Sequence, residues 1–264
     1  MDNHLLCRVS IITVCHNQLE GLKRTYQSIR NQWANDIEWL VIDGESSDGT
    51  KEWLAACDYE KLRYRLESFT NYYEAMNKAV TISYGDWVLF LNAGDLFCDN
   101  EALRKTIRLL ADSYDVVAGN TVWLSRFGTR VCQARPLDKV DEVRPFYLQS
   151  SLWKRTVLLR HPFDTQYSLA ADEELLQWAA KQPLVDVVSD FSIGLYDARA
   201  DLTWGEAIER QRQIRQIQGR YHGFYHQLCW KVSLMGMVCQ MVVQALMPQG
   251  LLNRRLSRYY TTNC

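Results

Sequence analysis

The 264-residue sequence predicts an α/β protein: a mostly parallel central sheet with helices on both faces, followed by a helical C-terminal extension. Two observations predict this class. Short, almost wholly apolar segments alternate with longer segments of helical periodicity, and apolar strands of this kind are typical of parallel sheets buried on both sides. The composition, 47% hydrophobic and 23% charged, is ordinary for a folded chain and excludes disorder, collagen and a small disulfide scaffold.

Strand and helix segments alternate strictly through the first hundred residues. Strands are predicted where short β-branched or apolar runs occur, at 8–14, 37–42, 62–66 and 87–91. The apolar residues Leu22, Tyr26, Ile29 and Trp33 share one helical face, which predicts the first helix. Helices are predicted between the strands, at 19–33, 50–56 and 72–83.

The alternation is weaker after residue 100. Helices are predicted at 101–110, 168–181 and 204–220. Two short strands are predicted at 115–118 and 121–124, and the segment 135–149 is expected to be irregular and functional. We divide the chain into a domain of residues 1–200 and a basic, amphipathic helical extension of residues 201–264.

Polar clusters follow the ends of three predicted strands, at residues 15–18, 43–50 and 92–95. In open α/β sheets, ligands bind beyond the carboxyl ends of the strands. We therefore expect these three clusters to converge on one crevice.

Acids in two of these clusters, and Asp172 further along the chain, each allow two interpretations. Asp43 suits a nucleobase or ribose, whereas Asp48 and Thr50 are equally explained as a helix cap. Asp95 suits a hard cation held against a diphosphate, or an ordinary Asx turn. Asp172 suits a general base, although acids in a first helical turn are also favoured by the helix dipole.

The order and spacing of five motifs is more specific than any one of them. In chain order the motifs are VSIITVCHNQ, LVIDGESSDGT, YYEAMNKAV, GDWVLFLNAGD and FDTQYSLAADEELL. With these motifs the chain resembles family 2 glycosyltransferases of the GT-A fold over residues 8–200, and especially the bacterial enzymes that build colanic acid, capsule and O-antigen.

The resemblance implies a donor site for a nucleotide-sugar. The first strand and its exit loop border the nucleobase, Asp43 contacts it, and Lys78 lies near the diphosphate. The chain departs from the family's SEPDKG stretch, since it keeps Glu67 but has Phe69 and Asn71 in place of Asp and Gly. The implied donor residues are Thr13, Val14, Cys15, His16, Asp43, Glu67, Asn77, Lys78, Asn92, Ala93 and Gly94.

The resemblance also implies a cofactor and a catalytic residue. Asp95 aligns with the last, metal-binding carboxylate of the family's DxD-type motif, which implies Mg²⁺ or Mn²⁺. Asp172 aligns with the general base of the inverting enzymes, in a stretch similar to AADYDL. Gln149 keeps one residue of the family's His-Gln pair, and it and Glu174 are assigned to the acceptor side.

The charge is unevenly distributed along the chain. Residues 201–264 carry eight Lys or Arg and three acids, a surplus of five, so residues 1–200 sum to −6 in a chain of net charge −1. This small net charge argues against a nucleic-acid partner. The apolar run 228–247 and the arginines and tyrosines after it predict contact with an anionic membrane surface through 228–260. Packing on the domain, a homodimer interface and a true span are the alternatives.

The cysteines and the N-terminal residues indicate the cellular compartment in which the protein is expected. The eight cysteines are scattered without a CxxC pair or a histidine cluster, which indicates reduced thiols and no zinc site. Residues 1–8 lack a basic start followed by a long apolar run, so no secretory signal is predicted. We expect a cytoplasmic protein, peripheral on the inner face of the cell membrane if the membrane interpretation holds.

Three functions are therefore compared. The leading one is an inverting glycosyltransferase that uses a UDP- or GDP-linked donor and a saccharide or lipid-linked saccharide acceptor. A sugar nucleotidyltransferase is less well matched, because those enzymes need a glycine-rich basic loop after the first strand and this chain has no glycine before Gly21. A non-catalytic nucleotide- or sugar-binding module is the third.

Overall fold

One mixed sheet, with helices packed on both faces, organises the chain. The computed structural model describes residues 8–32, 34–125, 128–198 and 203–222. Within them, the strand order is β3-β2-β1-β4-β8-β6-β9-β5, with β7 paired to β6 at the side. The predicted α/β class, a central sheet with helices on both faces, is confirmed, whereas the predicted helical C-terminal extension stays a prediction.

Four parallel strands form the first half of the sheet, in the order β3-β2-β1-β4. These are β1 (Val9–Cys15), β2 (Ile37–Asp43), β3 (Leu62–Leu66) and β4 (Trp87–Phe90). Helices α1 (Leu19–Arg30), α2 (Thr50–Ala56) and α3 (Tyr72–Ile82) connect them. All these elements were predicted within three residues at each end, because each has a clear period and a polar or glycine break. The predicted helix 19–33 ends at Arg30, and Trp33 lies outside the described residues.

Alternate residues of the buried strands enter two separate apolar layers. Ile12 and Val14 of β1 pack in one layer with the buried face of α3, whereas Val9 and Ile11 pack in the other with α1. Every residue of β1, β2 and β4 is buried. Burial on both faces explains why these strands are continuously apolar rather than alternating.

The second half of the sheet contains both parallel and antiparallel strand pairs. β8 (Ser151–Lys154) is antiparallel to both β4 and β6 (Val116–Ser125), whereas β9 (Asp186–Asp197) is parallel to β6. The predicted pair of strands at 115–118 and 121–124 is wrong, since β6 is a single strand whose register against β9 shifts between Ala118 and Thr121. Short strands β5 (Leu96–Phe97) and β7 (Gly128–Cys132) complete the described sheet.

Four more helices follow within the described ranges, α4 (Ala102–Leu109), α5 (Arg155–Arg160), α6 (Ala171–Ala179) and α7 (Trp204–His222). The helix predicted at 168–181 is the shorter α6, because residues 164–170 form turns. The segment predicted to be irregular, 135–149, contains only two short 3₁₀ turns, at Leu137–Lys139 and Leu148–Ser150.

Helix α7 packs on the domain that precedes it. Ile217 is fully buried and Ile214 nearly so, in the same apolar cluster as Leu175 and Leu176 of α6. The Gln213 side chain accepts a hydrogen bond from the Leu169 backbone N–H at 2.9 Å. The predicted division at residue 200 stays a prediction, but the first helix after it shares the core.

No helix in the described ranges combines the length and apolarity that crossing a bilayer requires. The apolar run 228–247 and the predicted membrane-contact region 228–260 lie outside those ranges.

Candidate active site

The loops that follow β1, β2 and β4 are joined to one another by hydrogen bonds. The Asn17 N–H donates to the Ser46 hydroxyl at 2.7 Å, and the Ser47 N–H donates to the Asn17 side-chain oxygen at 2.8 Å. The Val14 N–H donates to the Asn92 side-chain oxygen at 3.4 Å. The three polar clusters therefore meet at one edge of the sheet, as predicted.

Asp43 is fully buried and organises the turn after β2. It accepts hydrogen bonds from the Ser46 N–H at 3.0 Å and from the Ser46 hydroxyl at 2.5 Å. The Cys15 thiol also donates to it at 3.5 Å, and burial, with Asp43 beside it, raises the pKa of that thiol. Cys15 therefore stays protonated and available as a donor.

Gly44 and His16 shape the exposed rim of this turn. The His16 Nδ1 lies 2.8 Å from the Gly44 carbonyl oxygen. A Cβ on Gly44 would lie 2.9 Å from the Phe69 ring, so a side chain there would have to displace that ring. The rim therefore brings together a histidine, a peptide group and an aromatic ring.

Asp48 caps two helices at once. One carboxylate oxygen accepts from the Leu19 N–H of α1 at 2.9 Å, and the other accepts from the Thr50 N–H at 3.2 Å and from the Thr50 hydroxyl at 2.6 Å. Desolvation by itself would raise the pKa of Asp48, but these hydrogen bonds outweigh it and lower that pKa. The capping interpretation explains both Asp48 and Thr50.

Two side chains that were assigned to the donor site make their hydrogen bonds inside the fold. The Thr13 hydroxyl donates to the Leu91 carbonyl at 2.6 Å and accepts from the Trp39 indole N–H at 2.9 Å. The Asn77 side chain binds both backbone groups of Phe163, each at 2.8 Å. Both side chains hold neighbouring segments together.

Lys78 lies at the surface in a cluster with two acids. Its ammonium is 2.7 Å from Glu67 and 3.3 Å from Glu74. The Glu67 hydrogen bond is the main reason why the pKa of Lys78 is raised, so this lysine is a cation under ordinary conditions. A diphosphate that approached Lys78 would compete with these two carboxylates.

Asp95 is a buried acid held by the tight turn at 92–95. Gly94 adopts a φ of +104°, and the Asn92 N–H donates to the Asp95 carboxylate at 3.2 Å. The Thr25 hydroxyl of α1 fixes the same turn, donating to the Asp95 carbonyl at 2.8 Å and accepting from the Gly94 N–H at 2.9 Å.

Burial raises the pKa of Asp95 to about 8, although hydrogen bonds to the Gln149 side chain and to backbone oppose it. The like charge of Asp197 raises it further. A buried carboxylate with a second acid near it offers oxygen ligands of the kind that Mg²⁺ or Mn²⁺ accepts. In the part of the chain that the structure describes, no group of three or more His, Cys, Asp or Glu side chains could hold a metal. The ion would therefore draw further ligands from phosphate and water.

Asp172 lies in the first turn of α6, where three elements contact it. The Tyr73 hydroxyl of α3 donates to one carboxylate oxygen at 2.8 Å, and the Arg144 guanidinium donates to the other. Arg210 of α7 lies 4.0 Å from the same oxygen as Arg144. Burial alone would raise the pKa of Asp172, but the two arginines and Tyr73 outweigh it and lower that pKa to about 2. Asp172 is therefore an ionised proton acceptor at neutral pH.

The two residues assigned to the acceptor side lie apart from each other. The Gln149 side chain hydrogen-bonds to Asp95. Glu174 is fully buried, 2.9 Å from the His161 Nε2 and 3.6 Å from Arg220. Glu174 thus ties α6 to α7 and to the residue that follows α5.

Sequence reasoning missed three residues around Asp172. Tyr73 stands within the YYEAMNKAV motif, so its presence near the site could have been found. Arg144 lies in the segment 135–149 that was expected to be functional, but no motif singles it out there, and Arg210 lies in a helix that was assigned to the C-terminal extension.

A separate cavity of about 500 Å³ lies at the other end of α3. Three arginines, Arg63, Arg65 and Arg155, line it together with residues 81–84. Arg63 and Arg155 also donate to the last carbonyls of α3, which are Val80, Thr81 and Ile82. These two arginines therefore act as a C-terminal cap of that helix.

The described sheet has the GT-A fold of solved structures. The chain aligns with the mannosyltransferase PcManGT from Pyrobaculum calidifontis, solved in complex with GDP-Man and Mn²⁺, at a TM-score of 0.63 and 18% sequence identity. The alignment covers 83% of this chain and 66% of that one, just under two thirds of its length. This likeness shows the fold.

The chain belongs to glycosyl transferase family 2, whose model matches residues 10–177. It is 28% identical over 186 residues to an uncharacterized glycosyltransferase of Mycobacterium tuberculosis, covering 65% of this chain and 68% of that protein. It is 27% identical over 169 residues to a PGL/p-HBAD biosynthesis glycosyltransferase of Mycobacterium bovis, covering 62% and 66%. The protein is a glycosyltransferase, as the sequence motifs indicated.

Proposed function

We propose that the protein is an inverting glycosyltransferase that moves one sugar from a UDP- or GDP-linked donor to a hydroxyl of a lipid-linked saccharide. The product would be a bacterial surface polysaccharide or glycolipid. The observation that carries the proposal is the environment of Asp172, a carboxylate with 14% of its side chain exposed, which two arginines and a tyrosine keep ionised.

Asp172 supplies the general base. An attacking hydroxyl must lose a proton as it bonds to the anomeric carbon, and an ionised carboxylate within reach accepts that proton. Direct attack from the face opposite the leaving diphosphate inverts the anomeric centre. A retaining route by double displacement would need a nucleophile on the other face of the sugar, and we assign no residue to that role.

The donor is proposed to occupy the edge formed by the loops after β1, β2 and β4. The buried acid Asp95, with Gln149 and Asp197 around it, supports a divalent-cation site there. When bound, such an ion offsets the negative charge that develops on the departing diphosphate. Lys78 is a second cation for the same charge, provided that it leaves Glu67 and Glu74.

The acceptor and its location are also proposals. The M. bovis relative is named for PGL/p-HBAD biosynthesis, which supports a lipid-bearing acceptor. The basic surplus of residues 201–264 supports contact between region 228–260 and an anionic membrane on its cytoplasmic side. A homodimer through the same region is the alternative.

A donor screen with matched variants tests the proposal. The assay measures UDP or GDP release from a panel of nucleotide-sugars, with and without Mn²⁺, in the presence of lipid-linked acceptors. Asp172→Asn is expected to abolish transfer and to leave nucleoside diphosphate binding intact. Glu142→Gln, at an exposed ion pair with Lys139, is the control and should keep full turnover.

Three results would contradict the proposal. Unchanged turnover in Asp172→Asn would remove the assignment of the base. Pyrophosphate release from a nucleoside triphosphate would indicate a nucleotidyltransferase. Nucleotide binding by calorimetry without turnover of any donor would favour a non-catalytic module.

A further inference from the structure

The two oxygens of the Asp172 carboxylate are held by different parts of the chain. Tyr73 of α3 binds Oδ1, and Arg144 of the segment 135–149 binds Oδ2. The orientation of this carboxylate is therefore set from two sides, and neither contact is within its own helix.

Among the cations near Asp172, Arg144 has the largest effect on the pKa of that carboxylate. Its second guanidinium nitrogen donates to Glu173 at 2.9 Å, so one side chain bridges two adjacent acids. The guanidinium also packs over the Tyr147 ring, 4.7 Å from its centroid, and its Nε donates to the Phe146 carbonyl at 3.2 Å. Since only 15% of the side chain is exposed, Arg144 is held in this position.

The other charged or titratable groups around Asp172 do not replace this contact. Arg210 of α7 stands 4.0 Å away, beyond hydrogen-bond distance. Glu173 on the same helix has the same sign as Asp172, and Tyr73 is neutral, since burial raises its pKa well above the ordinary value. Removing Arg144 would leave two buried carboxylates side by side, with one cation at a distance.

We propose that Arg144 is a positioning residue for the base: its guanidinium, clamped between Asp172 and Glu173, keeps the Asp172 carboxylate ionised and oriented towards the acceptor hydroxyl. This inference rests on the proposed function, in which Asp172 is the base. It assigns a role in the reaction to the irregular segment 135–149. The segment is thereby tied to α6 through charge rather than through regular secondary structure.

The pH dependence of turnover is a readout that a merely structural role would not move. The acid limb of kcat reports the protonation of the base in the bound enzyme. Arg144→Met removes the cation that lowers the pKa of Asp172, while burial and the neighbouring Glu173 carboxylate still disfavour the ionised form. The acid limb of kcat is therefore expected to move up by more than one pH unit. The ratio of wild-type to variant kcat should therefore stay constant at high pH and rise as the pH falls through the shifted limb, with little change in donor KM.

Two further variants keep the test decisive if Arg144→Met does not fold. Arg144→Lys retains the charge but not the planar bridge, and its acid limb should lie between those of the wild type and Arg144→Met. Tyr73→Phe removes one neutral donor and should move the limb in the same direction by less. If the acid limbs of kcat coincide in the wild type and in every folded variant, the inference is overturned.

A measurement without turnover separates this inference from the proposed function. Carboxyl-¹³C aspartate labelling of the full chain, with Asp172→Asn to assign the signal, follows the ionisation of Asp172 between pH 3 and pH 8. The wild-type signal should stay ionised through this range, and the Arg144→Met signal should titrate within it. If Asp172→Asn remains active, the base assignment fails, whereas equal titration curves in wild type and Arg144→Met would refute the role of Arg144.

Discussion

Ile217 is the residue that best tests whether α7 is part of the catalytic domain. Its side chain is fully buried, in the same apolar cluster as Leu175 and Leu176 of α6. If the contact between α7 and α6 is present in solution, replacing Ile217 by alanine must destabilise the whole domain.

The magnitude follows from what the substitution removes. Ile→Ala deletes three carbon atoms, each worth about 0.8 kcal/mol when buried, or about 2.4 kcal/mol in all. The cavity left behind adds to this loss, while the better helix propensity of alanine offsets a few tenths. We expect a loss of about 3 kcal/mol in the free energy of unfolding, which lowers the Tm by roughly 6–12 °C in a domain of this size.

Thermal and urea unfolding of the full chain measure the effect. Ile208 provides the matched control, since it lies on the same helix with 49% of its surface exposed. Ile208→Ala should change the stability by less than about 0.5 kcal/mol. Equal stabilities of the Ile217→Ala variant and the wild type would refute the packing of α7 on α6.

Three other substitutions probe the site. Asp48→Ala should cost about 1–2 kcal/mol in urea unfolding because α1 and α2 both lose a cap. Since the pKa of Asp48 is lowered on folding, this cost is present above the ordinary aspartate pKa and should shrink as the pH falls through the lowered value. Asn77→Ala should cost about 1–3 kcal/mol, because it leaves the Phe163 backbone groups unpaired, yet it should not change calorimetric affinity for UDP or GDP. Weaker nucleotide binding would instead place Asn77 in the donor site. Asp95→Asn should abolish the Mn²⁺ dependence of nucleotide binding. Because the pKa of Asp95 is raised to about 8 on folding, wild-type stability falls as the pH rises towards that value, and Asp95→Asn should unfold at higher urea than metal-free wild type at pH 9. A lower urea midpoint for Asp95→Asn than for the wild type would contradict the destabilisation expected from a buried Asp95 charge.

The first half of the fold was predictable because its elements are defined by local patterns. Strands β1, β2 and β4 are apolar throughout, and helices with one apolar face separate them. The second half was predicted less well, because its strands depend on partners far away in the sequence. β9 is mostly half-buried and pairs with β6, about seventy residues earlier, so its alternation is weak and the strand was missed.

In the site, too, the sequence identified which residues are present better than what their side chains do. Asp43 and Asp172 were both singled out from the sequence, and the structure places Asp43 in a buried position and Asp172 in a partly buried one, each hydrogen-bonded. Asn77 and Thr13 also stand in motifs, but their side chains bond to backbone or indole groups that local patterns do not reveal.

The sequence by itself determined the family, the parallel half of the sheet and the edge at which the acids gather. It could do so because strand burial, helix period and turn residues are properties of neighbouring positions. Only the tertiary structure decided which acids are paired and which are isolated. Arg144 reaches Asp172 from 28 positions away, whereas Asp95 has a like charge, Asp197, beside it. Electrostatic environment depends on distance and burial in space, and this is why two aspartates of similar sequence context have pKa values of about 2 and about 8.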